Sequence, residues 1–279
     1  MTTTIEPVTA VAPEVRRPSR RAARAGRSPG RRAFIYASRV ILLVGFLALW
    51  ELAARKAWVS PQLFGQPSGI WTALKEYLPS DRHLTSLQST FGAIGVSFVV
   101  GSILGTIAGL VLGLSPTTDA IVGPFMTPIN SVPRIALAPL FIAWFGLTMT
   151  AKVVLAVSIV FFILAENARS SVRSVDPDLM TMARVSGLRN VGLLVKVVLP
   201  SAVPTMFAGL RLTFTYALLG VIASEMIAAT AGLGQDIVFF TSSYQINTTY
   251  AILVELMVIA VVVTWLFAML ERRLLRWQG

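Results

Sequence analysis

Six stretches of this chain stay apolar for about twenty residues or more, and that feature narrows the possible folds more than any other. They run approximately over 34–54, 89–114, 120–146, 150–168, 202–229 and 249–270. A hydrocarbon layer of about 30 Å is crossed by roughly 20 apolar residues wound as a helix. Only helices and closed barrels satisfy their own backbone polar groups there. The sequence therefore predicts an all-α membrane protein with about six transmembrane helices. Composition agrees, because 55% of the residues are apolar and 13% are charged, whereas a soluble domain carries about a quarter charged residues.

The net charge is +11, and its placement decides what it means. Nine arginines fall within 16–39, while 83–133 contains neither Lys nor Arg. A nucleic-acid surface needs basic residues spread over a folded face among polar or aromatic readers, so that class is set aside. With the N-terminus placed inside, seventeen Lys and Arg lie on the cytoplasmic side and four (Arg55, Lys56, Lys75, Arg82) outside. Both termini are accordingly expected to be cytoplasmic. This divides the chain into a disordered basic tail at 1–33, a first transmembrane helix at 34–56, an extracytoplasmic segment at 57–86, a transmembrane domain at 87–272 with a long loop at 173–200, and a short cytoplasmic tail at 273–279. Arg31-Arg32 before an apolar run also fits a twin-arginine export signal. Five further spans follow without a small-residue cleavage site, which favours an anchored first helix. The chain has no cysteine, which excludes thiolate and Cys-zinc chemistry. The single histidine, His83, lies in a polar segment and is expected at the surface, with no metal site.

Within the spans, Gly101, Gly105, Gly109 and Gly113 recur every four residues along one helix face, a ridge flat enough for another helix to approach closely. The third span holds Pro124, Pro128, Pro133 and Pro139, each lacking a backbone donor. Irregular backbone at membrane depth is tolerated where it is buried in protein or lines a wet cavity. Arg134 sits beside this region, and a charge there costs about 2.5–3.5 kcal/mol on insertion scales. Glu225 in the fifth span and Glu255 in the sixth are its possible partners. Two readings stay open: a structural ion-pair network, or a translocation pathway lined by Arg134, Glu225 and Glu255. Glu51 and Glu166, near span ends, are expected to snorkel or bond locally.

The loop at 169–201 is patterned rather than idle. Asp176-Pro177 supplies an N-cap and a proline at the first helical position. Leu179, Met182, Ala183 and Val185 or Ser186 form a short apolar face ended by Gly187. Val191, Leu194, Val195 and Val198 form a second run, stopped by Pro200. Two short helices around a glycine bend suit docking into a groove on another protein better than resting on headgroups.

Thr181-Met182-Ala183, three residues, Gly187, nine residues, Val197, one residue and Leu199-Pro200 resemble the "EAA" signature of type I ABC importer permeases. That pattern reads E-A-A, three residues, G, nine residues, I, one residue, L-P. Thr181 replaces the usual glutamate and Met182 the first alanine. The flanks Val172-Arg173-Ser174-Val175-Asp176-Pro177, Gly209-Leu210-Arg211, Pro133-Arg134-Ile135-Ala136-Leu137-Ala138-Pro139-Leu140, Gly232-Leu233-Gly234 and Glu271-Arg272-Arg273-Leu274-Leu275-Arg276-Trp277 are similar to the nitrate/sulfonate/taurine branch. The resemblance covers about 60–279. It implies a type I ABC importer transmembrane domain in a bacterial inner membrane, working with a second permease copy, a cytoplasmic ABC ATPase dimer and an extracytoplasmic solute-binding protein.

By that resemblance 176–192 is the coupling helix. Its ATPase contacts would involve Asp176, Pro177, Thr181, Met182, Ala183, Gly187, Leu199 and Pro200. The outer segments 56–86 and 230–248 would receive the binding protein, with Gly232-Leu233-Gly234 and Gln235-Asp236 among the contacts. The sequence has no G-x-x-x-x-G-K-S/T phosphate loop, so the chain is not expected to be an enzyme or to hold a cofactor. ATP and Mg would sit on the partner ATPase. Relatives in this branch imply a small anion such as a sulfonate, taurine or nitrate, or a thiamine-pyrimidine precursor. The competing class is a secondary transporter or channel using Arg134, Glu225 and Glu255 as an ion relay. A membrane enzyme lacks both a metal cluster and a nucleophile–base pair.

Overall fold

The computed structural model describes residues 29–188 and 190–274. The expected disordered tail therefore lies outside the described residues for 1–28. Its last part is helical instead, because α1 begins at Pro29 and runs to Arg55. Proline at a helix start gives up a donor that would have had no partner. α1 stands apart from the bundle along most of its length and presents Phe34, Leu42 and Ile41 outward. It is pinned at its last turns. Glu51 accepts from Ser68 N at 3.0 Å and Ser68 Oγ at 2.8 Å, and the Trp50 ring meets Tyr250 edge-on at 5.5 Å.

A helical turn at Pro61–Phe64 leads to α2, Pro67–Tyr77, which lies against the last helix. α3, Asp81–Leu114, is capped by Ser80 Oγ, which accepts from His83 N at 3.2 Å. Its 34 residues make a rod of about 50 Å, longer than the hydrocarbon layer. α4 is Pro116–Ser131. A 3₁₀ turn, Arg134–Leu137, runs directly into α5, Ala138–Phe145. α6 is Met149–Arg173 and α7 is Pro177–Val185. A helical turn at Asn190–Leu193 and a π turn at Leu194–Val198 continue into α8, Leu199–Ile227. α9, Leu233–Ser242, and α10, Ile246–Leu274, complete the order. Residues 275–279 of the expected tail lie outside the described residues.

Among the described residues, five helices are long and apolar enough to cross a membrane, and the expected third span supplies a sixth only as a broken pair. α4 and the segment Arg134–Phe145 meet at 81°. The break has a local cause. Val132, held extended at φ −66° and ψ 127°, precedes Pro133, and a residue before proline is pushed out of helical geometry.

Pro200 behaves differently from the expectation. It does not end the helical run but sits at the second position of α8. The turn before it is a π turn, closed by Leu199 N donating to Leu194 O.

α3 and α6 form the spine, with α8 on the other side of α6. The glycines of α3 set the approach. A Cβ at Gly101 would stand 2.5 Å from Val160 Cγ1, one at Gly105 2.5 Å from Phe161 O, and one at Gly113 2.6 Å from Val172 Cβ. At Gly109 it would overlap the Ala165 carbonyl. The core formed here joins Ile94, Val160, Val221, Leu233 and Ile252 from five helices. Gly109→Val is expected to destabilise the protein by about 1–3 kcal/mol. The check is loss of the monodisperse peak of detergent-solubilised protein at a lower temperature than the parent.

Candidate functional site

α7 projects at one end of the bundle, and the sequence accounts for each of its boundaries. Asp176 Oδ1 accepts from Asp178 N at 2.8 Å and caps the start. The end is a Schellman turn, with Leu188 N donating to Ala183 O and Gly187 N to Arg184 O, both at 3.0 Å. Gly187 takes φ +83° there, a conformation that suits glycine. Val172, Val175 and Val198, with Met180 against them, seat α7 on the ends of α6 and α8. Ala183 turns inward at 8% exposed, while Leu179, Met182 and Val185 are 50%, 68% and 85% exposed on the outward side. Among the described residues, nothing covers these three large apolar side chains, which stand at helical spacing. Thr181, at the glutamate position of the signature, bonds its hydroxyl to Pro177 O at 2.9 Å.

Arg134 lies just past the break. Its Nη1 donates to Asn130 Oδ1 at 3.0 Å and its Nη2 to Ile129 O at 3.3 Å, and the guanidinium rests 4.3 Å over the Phe162 ring. Among the described residues no carboxylate is within ion-pair reach of it. Beside it lies a cleft of about 250 Å³ lined by Met126, Asn130, Phe162 and Glu166.

The three charges grouped from sequence do not come together, which corrects the ion-pair network reading. Glu225, 1% exposed, pairs instead with Lys152, 5% exposed, at 3.0 Å. Its carboxylate also accepts from Thr90 Oγ1 at 2.9 Å and Gly234 N at 3.0 Å, while Lys152 Nζ reaches Ser89 Oγ at 2.9 Å and Ala231 O at 2.5 Å. Glu255 lies 2.7 Å from His83 Nε2. His83 is therefore interior at 4% exposed, not at the surface. The polar segment 78–83 forms the capped start of α3, which tucks the imidazole beneath Tyr77.

Gly232-Leu233-Gly234 and Asp236 are likewise buried, which corrects the expectation that they meet a binding protein. This turn closes over the Glu225 carboxylate, and a Cβ on Gly232, at φ +137°, would overlap it. Asp236 accepts from Tyr77 OH at 2.5 Å and Arg82 Nε at 2.7 Å. Burial and the adjacent Asp236 push the Tyr77 phenol far above its ordinary range. Gln235 is half-buried and Phe239 exposed, so this end still offers a surface.

Sequence reasoning missed Lys152 because it sits within a turn of the end of its span. The signal available was that a lysine inside an apolar helix requires a carboxylate at the same depth.

The bundle of lipid-length helices thus carries a broken span beside an arginine that meets no carboxylate among the described residues, and at one end a short helix with an uncovered apolar face. The chain belongs to the family of binding-protein-dependent transport system inner membrane components, whose pattern matches residues 101–276. It is 28% identical over 253 residues to the putative aliphatic sulfonates transport permease SsuC of Bacillus subtilis strain 168, spanning 91% of this chain and 92% of that one. It is 30% identical over 193 residues to the SsuC of Escherichia coli K12, spanning 69% and 73%. Its fold is similar to that of a chain of the inward-facing MetNI methionine ABC transporter, with TM-score 0.57 at 19% identity over 76% of this chain and 98% of the other. The protein is a multi-pass inner-membrane permease of an ABC importer for small solutes.

Proposed function

We propose that this permease, as a homodimer, forms the pathway for a small organic anion of the sulfonate or taurine type. Nitrate or a thiamine-pyrimidine precursor is the neighbouring possibility within the same branch. The solute is handed over by an extracytoplasmic binding protein, and ATP hydrolysis on a separate cytoplasmic ATPase dimer drives passage. Both termini lie in the cytoplasm. The observation that carries this reading is the uncovered face of α7, where Leu179, Met182 and Val185 stand exposed on a helix capped at both ends. Such a face in water has a cost unless a partner groove receives it. The sulfonate class is favoured by the names of the relatives. Selectivity itself would reside largely in the binding protein, on which a thermal-shift ligand screen tests the solute class.

A relay through Arg134, Glu225 and Glu255 has little support, since each bonds to a different neighbour and Glu225 is neutralised by Lys152. The discriminating experiment is uptake of a radiolabelled alkanesulfonate by cells expressing the whole system. Arsenate, which depletes ATP, is expected to stop uptake, whereas a protonophore at constant ATP is not. The reverse pattern contradicts the proposal. Arg134→Ala is expected to lower that uptake by roughly tenfold, an ordinary coupling energy. Unchanged uptake by an intact assembly makes Arg134 a bystander.

A further inference from the structure

The first turn of α4 is clamped to the last turns of α6 by a cluster that the functional reading does not use. Arg169 Nε donates to Asp119 Oδ1 at 2.6 Å, and Arg173 Nη2 donates to Asp119 Oδ2. Arg169 Nη1 also reaches Glu166 Oε2 at 3.3 Å. The two arginines are four residues apart, so they stack on one face of α6 and grip both carboxylate oxygens. Asp119 and Arg169 are 15% and 13% exposed, and Arg173 is 52% exposed. Room for the grip is built into α4, where a Cβ at Gly123 would come within 2.8 Å of Arg169 Nη2.

The position of this cluster gives it a task. α6 ends at Arg173, and Asp176 caps α7 three residues later. At its other end α4 stops at the break, where Arg134 rests on Phe162 of the same α6. Between the two, Met126 of α4 packs with Ala165 of α6 and Leu112 of α3. The half of the broken span next to α7 thus leans on α6 through side chains, and its firmest hold is the one nearest α7.

We infer that Asp119, held by Arg169 and Arg173, is the link that passes displacement of α7 to the broken third span, which makes Asp119 a positioning residue for solute passage. The inference rests on the proposed role of α7 as the helix gripped by the ATPase. A pull on α7 moves residues 174–176 and the last turn of α6. The doubly held carboxylate carries α4 with it, and the 81° joint turns that movement into a change at Arg134–Leu137. Without the carboxylate, α7 moves and the joint does not follow.

The test uses the full permease–ATPase complex in nanodiscs and needs no knowledge of the solute. The chain has no cysteine, so Ile135→Cys, at a site 46% exposed in the 3₁₀ turn, gives a single reporter on the permease band. Its labelling rate with a membrane-impermeant maleimide is compared without nucleotide and with ATP and vanadate. The parent reporter is expected to change rate on trapping. In Asp119→Asn the ATPase keeps turning over while that change shrinks by roughly tenfold, within the ordinary range of coupling energies, and Asp119→Glu restores it.

Arg173→Gln, at the more exposed arginine, is expected to lose part of the change and supplies the reading if Asp119→Asn fails to assemble. Retention of the full change in either variant overturns the link, as does failure of Asp119→Glu to restore it. If Gly187→Val removes the change and Asp119→Asn keeps it, the link falls while the role of α7 stands. If the parent reporter itself does not respond to nucleotide, both fall.

Discussion

Gly187→Val will leave the permease inserted and folded yet abolish solute uptake and substrate-stimulated ATP hydrolysis by the assembled transporter. Gly187 holds φ +83°, and open space surrounds the place a Cβ would take. The penalty is therefore in the backbone alone. A β-branched residue at positive φ costs about 1–3 kcal/mol, which is enough to unwind the Schellman turn that ends α7. The uncovered residues Leu179, Met182 and Val185 would then lose their common direction without any change in the membrane bundle. Gly187→Asn, which tolerates the left-handed region far better, is expected to keep most of the activity. A valine variant that couples normally removes the assignment of α7 as a lever, whatever else the bundle does.

Glu225→Leu will strongly destabilise the protein. Lys152, 5% exposed, would keep its charge with only Ser89 Oγ and Ala231 O as partners, and Gly234 N would lose its acceptor. Breaking a buried pair from one side costs about 3–5 kcal/mol, while replacing both partners by apolar residues is far less damaging. The double variant Lys152→Met with Glu225→Leu is accordingly expected to recover most of the loss. The midpoint of heat-induced aggregation in detergent measures both. Equal midpoints for the single and double variants would mean that Glu225 is held by its hydrogen bonds to Thr90 and Gly234 rather than by Lys152.

The parts that sequence disclosed are those written in local chemistry. Of the prolines at 124, 128, 133 and 139, only Pro133 marks the break, through the restriction it places on Val132, whereas Pro124 and Pro128 stay inside α4 and Pro139 sits in the first turn of α5. Gly101 to Gly113 mark a close helix contact through spacing alone. Asp176-Pro177 and Gly187 fix both ends of α7, which stops at Val185, short of the 176–192 expected of the coupling helix. What sequence did not disclose depends on which turn of one helix faces which turn of another. Glu225 and Arg134 share only the property of being charges inside spans, whereas the partner of Glu225, Lys152, enters from α6 at the opposite end of the bundle from α7. His83 read as a surface residue because its neighbours in sequence are polar, yet the Ser80 cap turns its ring inward onto Glu255 and Tyr77. Asp119 carried no signal of its own: one carboxylate near a helix start is an ordinary first-turn residue until two arginines from α6 arrive beside it.

In the proposed assembly the outward face of α7 is held by a nucleotide-hydrolysing subunit. Its most direct test is photo-crosslinking from a single cysteine at Met182→Cys, a position 68% exposed, carrying a benzophenone maleimide in the assembled complex. One adduct with the ATPase subunit is expected, and no modification of the same cysteine by an impermeant thiol reagent applied outside intact cells. Modification from outside, or solute movement by the permease in vesicles lacking any ATPase, would contradict it.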